Sequence, residues 1–334
     1  MKKKITVGIL FGGKSTEHEV SLLSAKNVVE ALDKNKYQAV LIKITKEGKW
    51  QLENKNVVRA SNTEIIKTLD VVFPVLHGPL GEDGAIQGLL KIMDVPFIGP
   101  SILASALGMD KEVAKRLWRD AGIPSAKFLV FKDHEINSIQ FSKVKKELGL
   151  PLFIKPANLG SSVGVSKVHN EKAFRAAINN AFKYDLKILI EECIKGREIE
   201  CAVLGNEEPI ASIPGEIIPQ AEFYSYKAKY FDEHGAILQI PAKLSVKEQK
   251  YVKQVAIKAF QTLGCEGMAR VDFFLTKNGK LVINEINTIP GFTNISMYPK
   301  LWEISGIPYS KLIDILINLA ISRYKKEKKL RTSV

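Results

Sequence analysis

The first hundred residues alternate two kinds of segment, and that alternation restricts the fold more than any other feature. Ile5–Leu10 is a β-branched run ending at Gly12-Gly13, and a helical stripe of Leu22, Ala25, Val29 and Leu32 follows. Val40–Thr45 and Val71–Val75 read as buried strands, and Ile86, Leu89, Leu90 and Met93 as another helix. Buried strands separated by helices imply a parallel sheet with ligands at the strands' carboxyl ends.

The chain of 334 residues leaves room for about two further units of this kind. One has a helix with Val113, Leu117 and Ala121, a strand at Lys127–Phe131, and a helix stopped by Gly149. Leu152–Lys155 and Val163–Val168 flank a Gly/Ser turn; a helix (Ala173, Phe174, Ala177, Ile178, Ala181) and the strand Lys187–Glu192 close the unit. The last unit, from Gly196, has a polar aromatic loop, Glu222–Gly235. Its next helix opens with the capping box Ser245-Val-Lys-Glu248, with a stripe of Val252, Val255, Ala256, Ala259, Phe260 and Leu263. A hairpin and a helix bearing Leu312, Leu316 and Leu319 complete it. The boundaries read as 1–104, 105–195 and 196–334.

Net charge is +13, but the basicity collects at the ends. Arg323–Val334 holds six basic residues and one acid, and Lys2, Lys3 and Lys4 open the chain. Such runs read as solvated and frayed. No basic face interleaved with aromatics appears, so no nucleic-acid partner is expected. The longest uncharged stretch, Val95–Met109, is too short and too broken by Pro and Gly to cross a bilayer, so no membrane partner is expected. Ile5–Phe11 imitates a signal segment but reads as a first strand. Cys193, Cys201 and Cys265 have no metal spacing and read as buried apolar residues in a reducing, cytoplasmic compartment.

The sharpest chemical inference comes from MARVDFFLTKNGKLVINEIN. Asn278-Gly279 signals a hairpin, and a two-residue loop there pairs Lys277 with Lys280. Asp272 then faces Glu285 and Arg270 faces Asn287, with Phe274 and Ile283 on the same face as the acids. Two opposed carboxylates repel. A divalent cation relieves them, and Asp, Glu and Asn are hard oxygen ligands suited to Mg²⁺ or Mn²⁺. A solvated face, or an Arg270–Asp272 ion pair, is the plainer alternative.

Two segments have the look of phosphate cradles. In PLFIKPANLGSSVGVSKV, Lys155 ends a strand before a turn with Gly160, Ser161, Ser162 and Gly164. Backbone N–H groups and hydroxyls there could grip anionic oxygens, with Lys155 as the point charge; an ordinary Gly/Ser turn explains the segment equally well. Gly8–Ser15 satisfies the Walker A pattern, but Ile9, Leu10 and Phe11 read as strand where the loop should be. The Gly12-Gly13 turn instead feeds a helix beginning near Glu17, which could hold a substrate ammonium. Glu191, Glu192 and Glu198 lie about a strand end and, taken alone, read as exposed acids.

Together these pieces resemble the ATP-grasp ligases, and within them the D-alanine–D-alanine ligase family. The resemblance covers about residues 4–322, through LFGGKSTEHEVSLLSA, FPVLHGPLGEDGAIQGLL, PFIGPSILASALGMDK, IKPANLGSSVGVSKV, EFYSYKAKY, ARVDFFL and NEINTIPGFTNISMYPKL in order. It implies an α/β ATP-grasp fold of three α/β domains, the first Rossmann-like, with ATP between the other two. By this resemblance Lys111 and Lys155 bind phosphates, and Glu191, Ile194 and Glu198 the adenine and ribose. Ser162 and Asn284 join the ATP contacts, and Asp272, Glu285 and Asn287 hold two Mg²⁺ or Mn²⁺. Glu17, with His77, holds the first D-alanine's ammonium, and Ser161 and Tyr230 link to Glu17. Lys229 reaches the γ-phosphate, and Glu222–Gly235 becomes a lid. Arg270 and the Gly291 N–H stabilise an oxyanion, while Ser296 and Met297 line the second D-alanine pocket. The activity implied is ligation of two D-alanines through a D-alanyl phosphate, for peptidoglycan precursors. A homodimer is implied too. The alternatives are a D-alanine–D-serine ligase or another ATP-grasp carboxylate–amine ligase, with Met297 standing where the family often has leucine.

Overall fold

The computed structural model describes residues 3–52, 55–58, 64–220 and 236–331. Three sheets carry the chain. The first has the order β4-β3-β2-β1-β5. Strands β1 (Ile5–Gly12), β2 (Tyr37–Ile44) and β5 (Val71–Val75) run parallel, as the alternation predicts. Strands β3 (Trp50–Leu52) and β4 (Lys55–Val58) extend the sheet antiparallel. Strand β1 runs through Gly12 with Ile9 and Leu10 fully buried, so Gly8–Phe11 is no phosphate loop. Helices α1 (His18–Ala31), α2 (Glu64–Lys67) and α3 (Ala85–Ile92) belong to this part.

The second sheet, β6-β9-β7-β8, is antiparallel throughout: β6 (Phe128–Lys132), β7 (Leu152–Pro156), β8 (Ser166–Val168) and β9 (Lys187–Glu192). It packs on α6 (Phe141–Leu148) and α7 (Glu171–Ala181) through Leu152, Ile154, Phe174, Ile178 and Ile190. Helices α4 (Ile102–Met109) and α5 (Lys111–Asp120) precede it.

The third sheet is antiparallel in the order β13-β12-β10-β14-β15. Its strands are β10 (Gly196–Gly205), β12 (Gly215–Pro219), β13 (Ala236–Gln239), β14 (Gly267–Thr276) and β15 (Leu281–Asn287), with the short β11 (Ile210–Ala211) on β10. Helix α8 (Val246–Thr262) starts at the expected box, Ser245 accepting from the Glu248 N–H and Glu248 from the Ser245 N–H. Helices α9 (Met297–Ile304) and α10 (Tyr309–Glu327) end the fold.

Two helical stripes differ from expectation. Of the expected α1 stripe, Ala25 and Leu32 are buried and Val29 packs partly buried against the same core, but Val20, Ser21, Ser24 and Val28 belong to the buried face as well. Of the expected α5 stripe, Leu117 packs partly buried against the core, while the residues buried outright are Lys111, Ala114, Lys115 and Trp118. In both, polar side chains turn inward as well, Ser21 bridging the Gly12 N–H and the Val75 carbonyl and Lys115 meeting Glu191, so an apolar count finds only part of the buried face.

The described part of the C-terminal basic run is tied down more than its charge suggests. Arg323 is buried and donates to the Gly99 and Phe97 carbonyls at 2.7 and 2.8 Å. Lys326 and Lys328 pair with Glu207 and Asp94, both at 2.5 Å. Among the described residues no single helix is long and apolar enough to cross a membrane. Cys201 and Cys265 are buried as expected, whereas Cys193 is partly exposed.

Candidate functional site

The hairpin of β14 and β15 reaches the expected pairing by another route. Its loop has three residues, Lys277-Asn278-Gly279, closed by bonds between Thr276 and Lys280, with Gly279 at φ +74°. Leu275 therefore pairs with Leu281 and Phe273 with Ile283, one step off the two-residue register. A bulge between Asp272 and Phe273 then takes up Asn284 and restores Asp272 opposite Glu285 and Arg270 opposite Asn287. Ile283 consequently lies in the core with Phe273, not on the acids' face. The bulge also lets adjacent Asn284 and Glu285 both line one cleft, which regular alternation forbids.

That cleft is a cavity of about 530 Å³. Lys111, Lys155, Ser162, Glu191, Ile194, Glu198, Asn284 and Glu285 all line it, as do Cys193 and Lys195. Lys155 Nζ meets Glu191 Oε2 at 2.6 Å, and the buried Lys115 approaches Glu191 Oε1 at 3.3 Å. Burial alone would raise the Glu191 carboxyl, but Lys115 and Lys155 hold it below the usual range; burial pushes Lys115 down. Glu191 is thus a buried anchor for two lysines rather than an exposed acid, and Glu192 accepts from the Lys127 N–H at 2.8 Å. Lys111 opens α5, donates to the Leu159 carbonyl at 2.6 Å and lies 3.7 Å from Glu285.

Arg270 forks onto Asp272 at 2.8 and 2.7 Å, so the ion pair weighed from the sequence exists. Its Nε also lies 2.9 Å from Glu200 Oε2, and Asn287 donates to Asp272 at 2.9 Å. Two carboxylates and a carboxamide on facing positions of one hairpin make a hard-oxygen donor set. With Lys111 beside Glu285, the set fits a divalent cation bound to phosphate oxygens.

The other half of the site comes from the first sheet. Glu17, the N-cap of α1, is buried and accepts a hydrogen bond from the Ser161 hydroxyl. Ser161 and Ser162 sit at φ +53° and +60°, which turns the loop after β7 toward Glu17. The loop after β5 brings His77, whose Nδ1 lies 3.0 Å from the Ile289 carbonyl and Nε2 3.4 Å from the Ser24 hydroxyl. A carbonyl only accepts, so Nδ1 carries the proton; burial lowers the ring's pKa and keeps it neutral. A side chain at Gly291 would strike Ser296 Oγ at 2.7 Å, so the loop closes tightly there. Met297 is buried in the core with its Cε beside Gly215, so its side chain packs into the core.

The structure therefore gathers Glu17, His77, Ser161, Gly291 and Ser296 on one side and the lysines, Glu191, Asp272, Glu285 and Asn287 on the other. Lys229 and Tyr230, with the expected lid Glu222–Gly235, lie outside the described residues. Sequence reasoning missed Glu82, Lys115, Glu200 and Ser24. Lys115 follows Lys111 by one helical turn, and Glu82 sits between glycines just past a strand; each was a readable signal. Burial, then the Glu17 charge, push the Glu82 carboxyl up to about 8.

Comparison with known proteins agrees with this geometry. Residues 6–64 and 52–100 match the family model "D-ala D-ala ligase N-terminus", and 117–318 match "D-ala D-ala ligase C-terminus". The chain is 52% identical to a D-alanine–D-alanine ligase of Oceanobacillus iheyensis, over 100% of this chain and 99% of that one. It is 48% identical to D-alanine–D-alanine ligase A of Escherichia coli, over 99% and 100%. The solved D-alanine–D-alanine ligase of Coxiella burnetii superposes with a TM-score of 0.86 at 39% identity, covering 98% of this chain and 96% of that one. A D-Ala:D-Ser ligase from Enterococcus faecalis gives 0.86 at 35% identity, covering 95% and 100%.

Proposed function

The chain belongs to the D-alanine–D-alanine ligase family, and from that premise we propose how its own residues join two D-alanines in an ATP-driven ligation. The observation that carries the reading is the Ser161–Glu17 hydrogen bond, which brings the candidate phosphate loop against the carboxylate suited to an ammonium.

Glu17 holds the first D-alanine by its ammonium, and the neutral His77 backs that pocket without repelling the charge. Lys111 and Lys155 neutralise phosphate oxygens as the γ-phosphoryl group passes to the D-alanine carboxylate, giving an acyl phosphate and ADP. Ser162, Glu191, Ile194, Glu198 and Asn284 line the nucleotide's cavity. Asp272, Glu285 and Asn287 would hold Mg²⁺ or Mn²⁺, which supplies charge neutralisation at the phosphoryl group. The second D-alanine, seated by Ser296 near the start of the helix that Met297 opens, attacks the acyl carbon through its unprotonated amine. Arg270 and the Gly291 N–H would stabilise the oxyanion as its charge develops, and the intermediate expels phosphate, with the proton lost from the attacking amine leaving on the phosphate or to solvent. By the family resemblance Lys229 would reach the γ-phosphate, Tyr230 would join Ser161 and Glu17, and the segment that carries them would keep water from the acyl phosphate.

The test is product identification with ATP, Mg²⁺ and D-alanine. One D-alanyl-D-alanine per phosphate released is expected, and D-alanine should outcompete equimolar D-serine as second substrate. Glu285→Gln should lower kcat by about a hundredfold or more, since metal stabilisation of this kind is worth several kcal/mol. Phosphate release without dipeptide, or preference for D-serine at neutral pH, sinks the assignment.

A further inference from the structure

Glu82 lies outside every role assigned above, yet its two oxygens meet two separate chain segments. Oε2 accepts from the Gly78 N–H at 2.7 Å, in the loop that carries His77. Oε1 accepts from the Ile289 N–H at 3.1 Å, between Asn287 and Gly291. The Ile289 carbonyl is taken by His77 Nδ1 at 3.0 Å, so residue 289 is gripped at both its backbone groups by the loop after β5. Ser24 adds a third pin. Its Oγ accepts from the Phe292 N–H at 3.2 Å while facing His77 Nε2. Gly291 therefore sits between two positions, 289 and 292, that elements of the first sheet hold in place.

We propose that Glu82 and Ser24 are positioning residues that register the Gly291 N–H and the end of the β14–β15 hairpin against the Glu17 side of the site. The inference rests on the roles given above to Glu17 and Gly291. Its chemistry is specific to a carboxyl of this length. Two N–H groups converge on it, so both of its oxygens must accept, which a carboxylate does and a protonated carboxyl still does through the lone pairs of its carbonyl and hydroxyl oxygens. A glutamine offers one acceptor and turns an NH₂ toward the other N–H. An aspartate is one methylene shorter and cannot span both segments. Neither Glu82 nor Ser24 is assigned a contact with the reacting atoms, and their effect passes through the backbone they hold.

The test compares Glu82→Gln, Glu82→Ala and Ser24→Ala with the unaltered enzyme, reading kcat, KM for D-alanine and ATP, and binding of a non-hydrolysable ATP analogue. Displacing the oxyanion donor by a fraction of an ångström to about 1 Å should lower kcat by about 10–100-fold in both Glu82 variants. Analogue affinity should stay within about twofold, because the positions that Glu82 and Ser24 hold, 289 and 292, do not line the nucleotide cavity. Gln should rescue little over Ala, and Ser24→Ala should lower kcat in the same sense. Rescue of kcat by Gln would reduce Glu82 to a space-filling role and overturn the proposal. So would parallel loss of analogue binding and kcat, which marks general destabilisation. If the Glu82 variants do not fold, unchanged kcat in Ser24→Ala overturns it. Absence of dipeptide from the unaltered enzyme would instead reject the ligase reading itself.

Discussion

Glu82 feels the charge of Glu17 across the site, and that proximity adds to burial in raising its carboxyl from 4.5 to about 8. The consequence for stability has a definite sign. Between the two values the native state keeps a proton that the unfolded chain has released. Stability is therefore fullest at and below the lower value and falls as pH rises through the upper one. Glu82→Gln removes this titration. Its melting temperature should vary less across that window than that of the unaltered protein, although it starts lower for want of one hydrogen bond. Parallel melting curves against pH would show that Glu82 is an ordinary solvated acid. Lys115 poses the opposite case, a buried ammonium with Glu191 at 3.3 Å. Truncating it leaves Glu191 with Lys155 alone, so a lysine that touches no expected ligand still shapes the phosphate side of the cavity.

Among the elements, the β14–β15 hairpin shows what was legible in the sequence and what was not. The Asn278-Gly279 signal located the reversal, and the facing of Asp272 and Glu285 was correct. The route was not legible, because two one-residue shifts cancel: a longer loop slips the register and the bulge at Asn284 slips it back. A bulge has no fixed residue signature, so pairing arithmetic cannot find it. The buried faces of helices α1 and α5 are only partly legible for a related reason. Ser21, Ser24, Lys111 and Lys115 occupy inward positions that an apolar count treats as surface. Glu17, His77 and the Gly/Ser turn were visible only as single polar features, and the family resemblance supplied the roles that spacing alone left open. Deleting Lys277 tests which device sets the register. The loop becomes Asn278-Gly279, a two-residue turn at an exposed tip, while Thr276 still meets Lys280. Activity should stay within about twofold of the unaltered enzyme. Loss of divalent-dependent activity would mean that the turn, and not the bulge and the buried side chains beneath it, aligns Asp272 with Glu285.

For the whole molecule, the parallel sheet predicted from the first hundred residues does not close its own core. Leu312, Ile313, Leu316, Ile317 and Ala320 of α10 share one buried cluster with Val7, Ile9, Phe73 and Val75. The last helix in sequence thus covers a face of the first sheet in sequence. Tyr37 donates to Asp314 at 2.6 Å, and Arg323 locks the helix end onto the Phe97 and Gly99 carbonyls. Burying the four leucine and isoleucine side chains is worth about 6–12 kcal/mol before conformational entropy is counted. That is of the order of a whole domain's net stability, about 5–15 kcal/mol. A chain ending at Pro308 should therefore fail to protect residues 1–104 from proteolysis and should lose ligation along with them, since Glu17 and His77 stand on that sheet. Arg323→Met is the milder probe. It keeps the apolar stem but strands two buried carbonyls, at a cost of about 2–3 kcal/mol in urea unfolding. Because the shared core ties both ends of the chain together, that loss should appear as a shift of one transition rather than the separation of two. A truncated chain whose first hundred residues stayed protease-resistant would show instead that the sheet is stable alone, and that α10 merely rests on it.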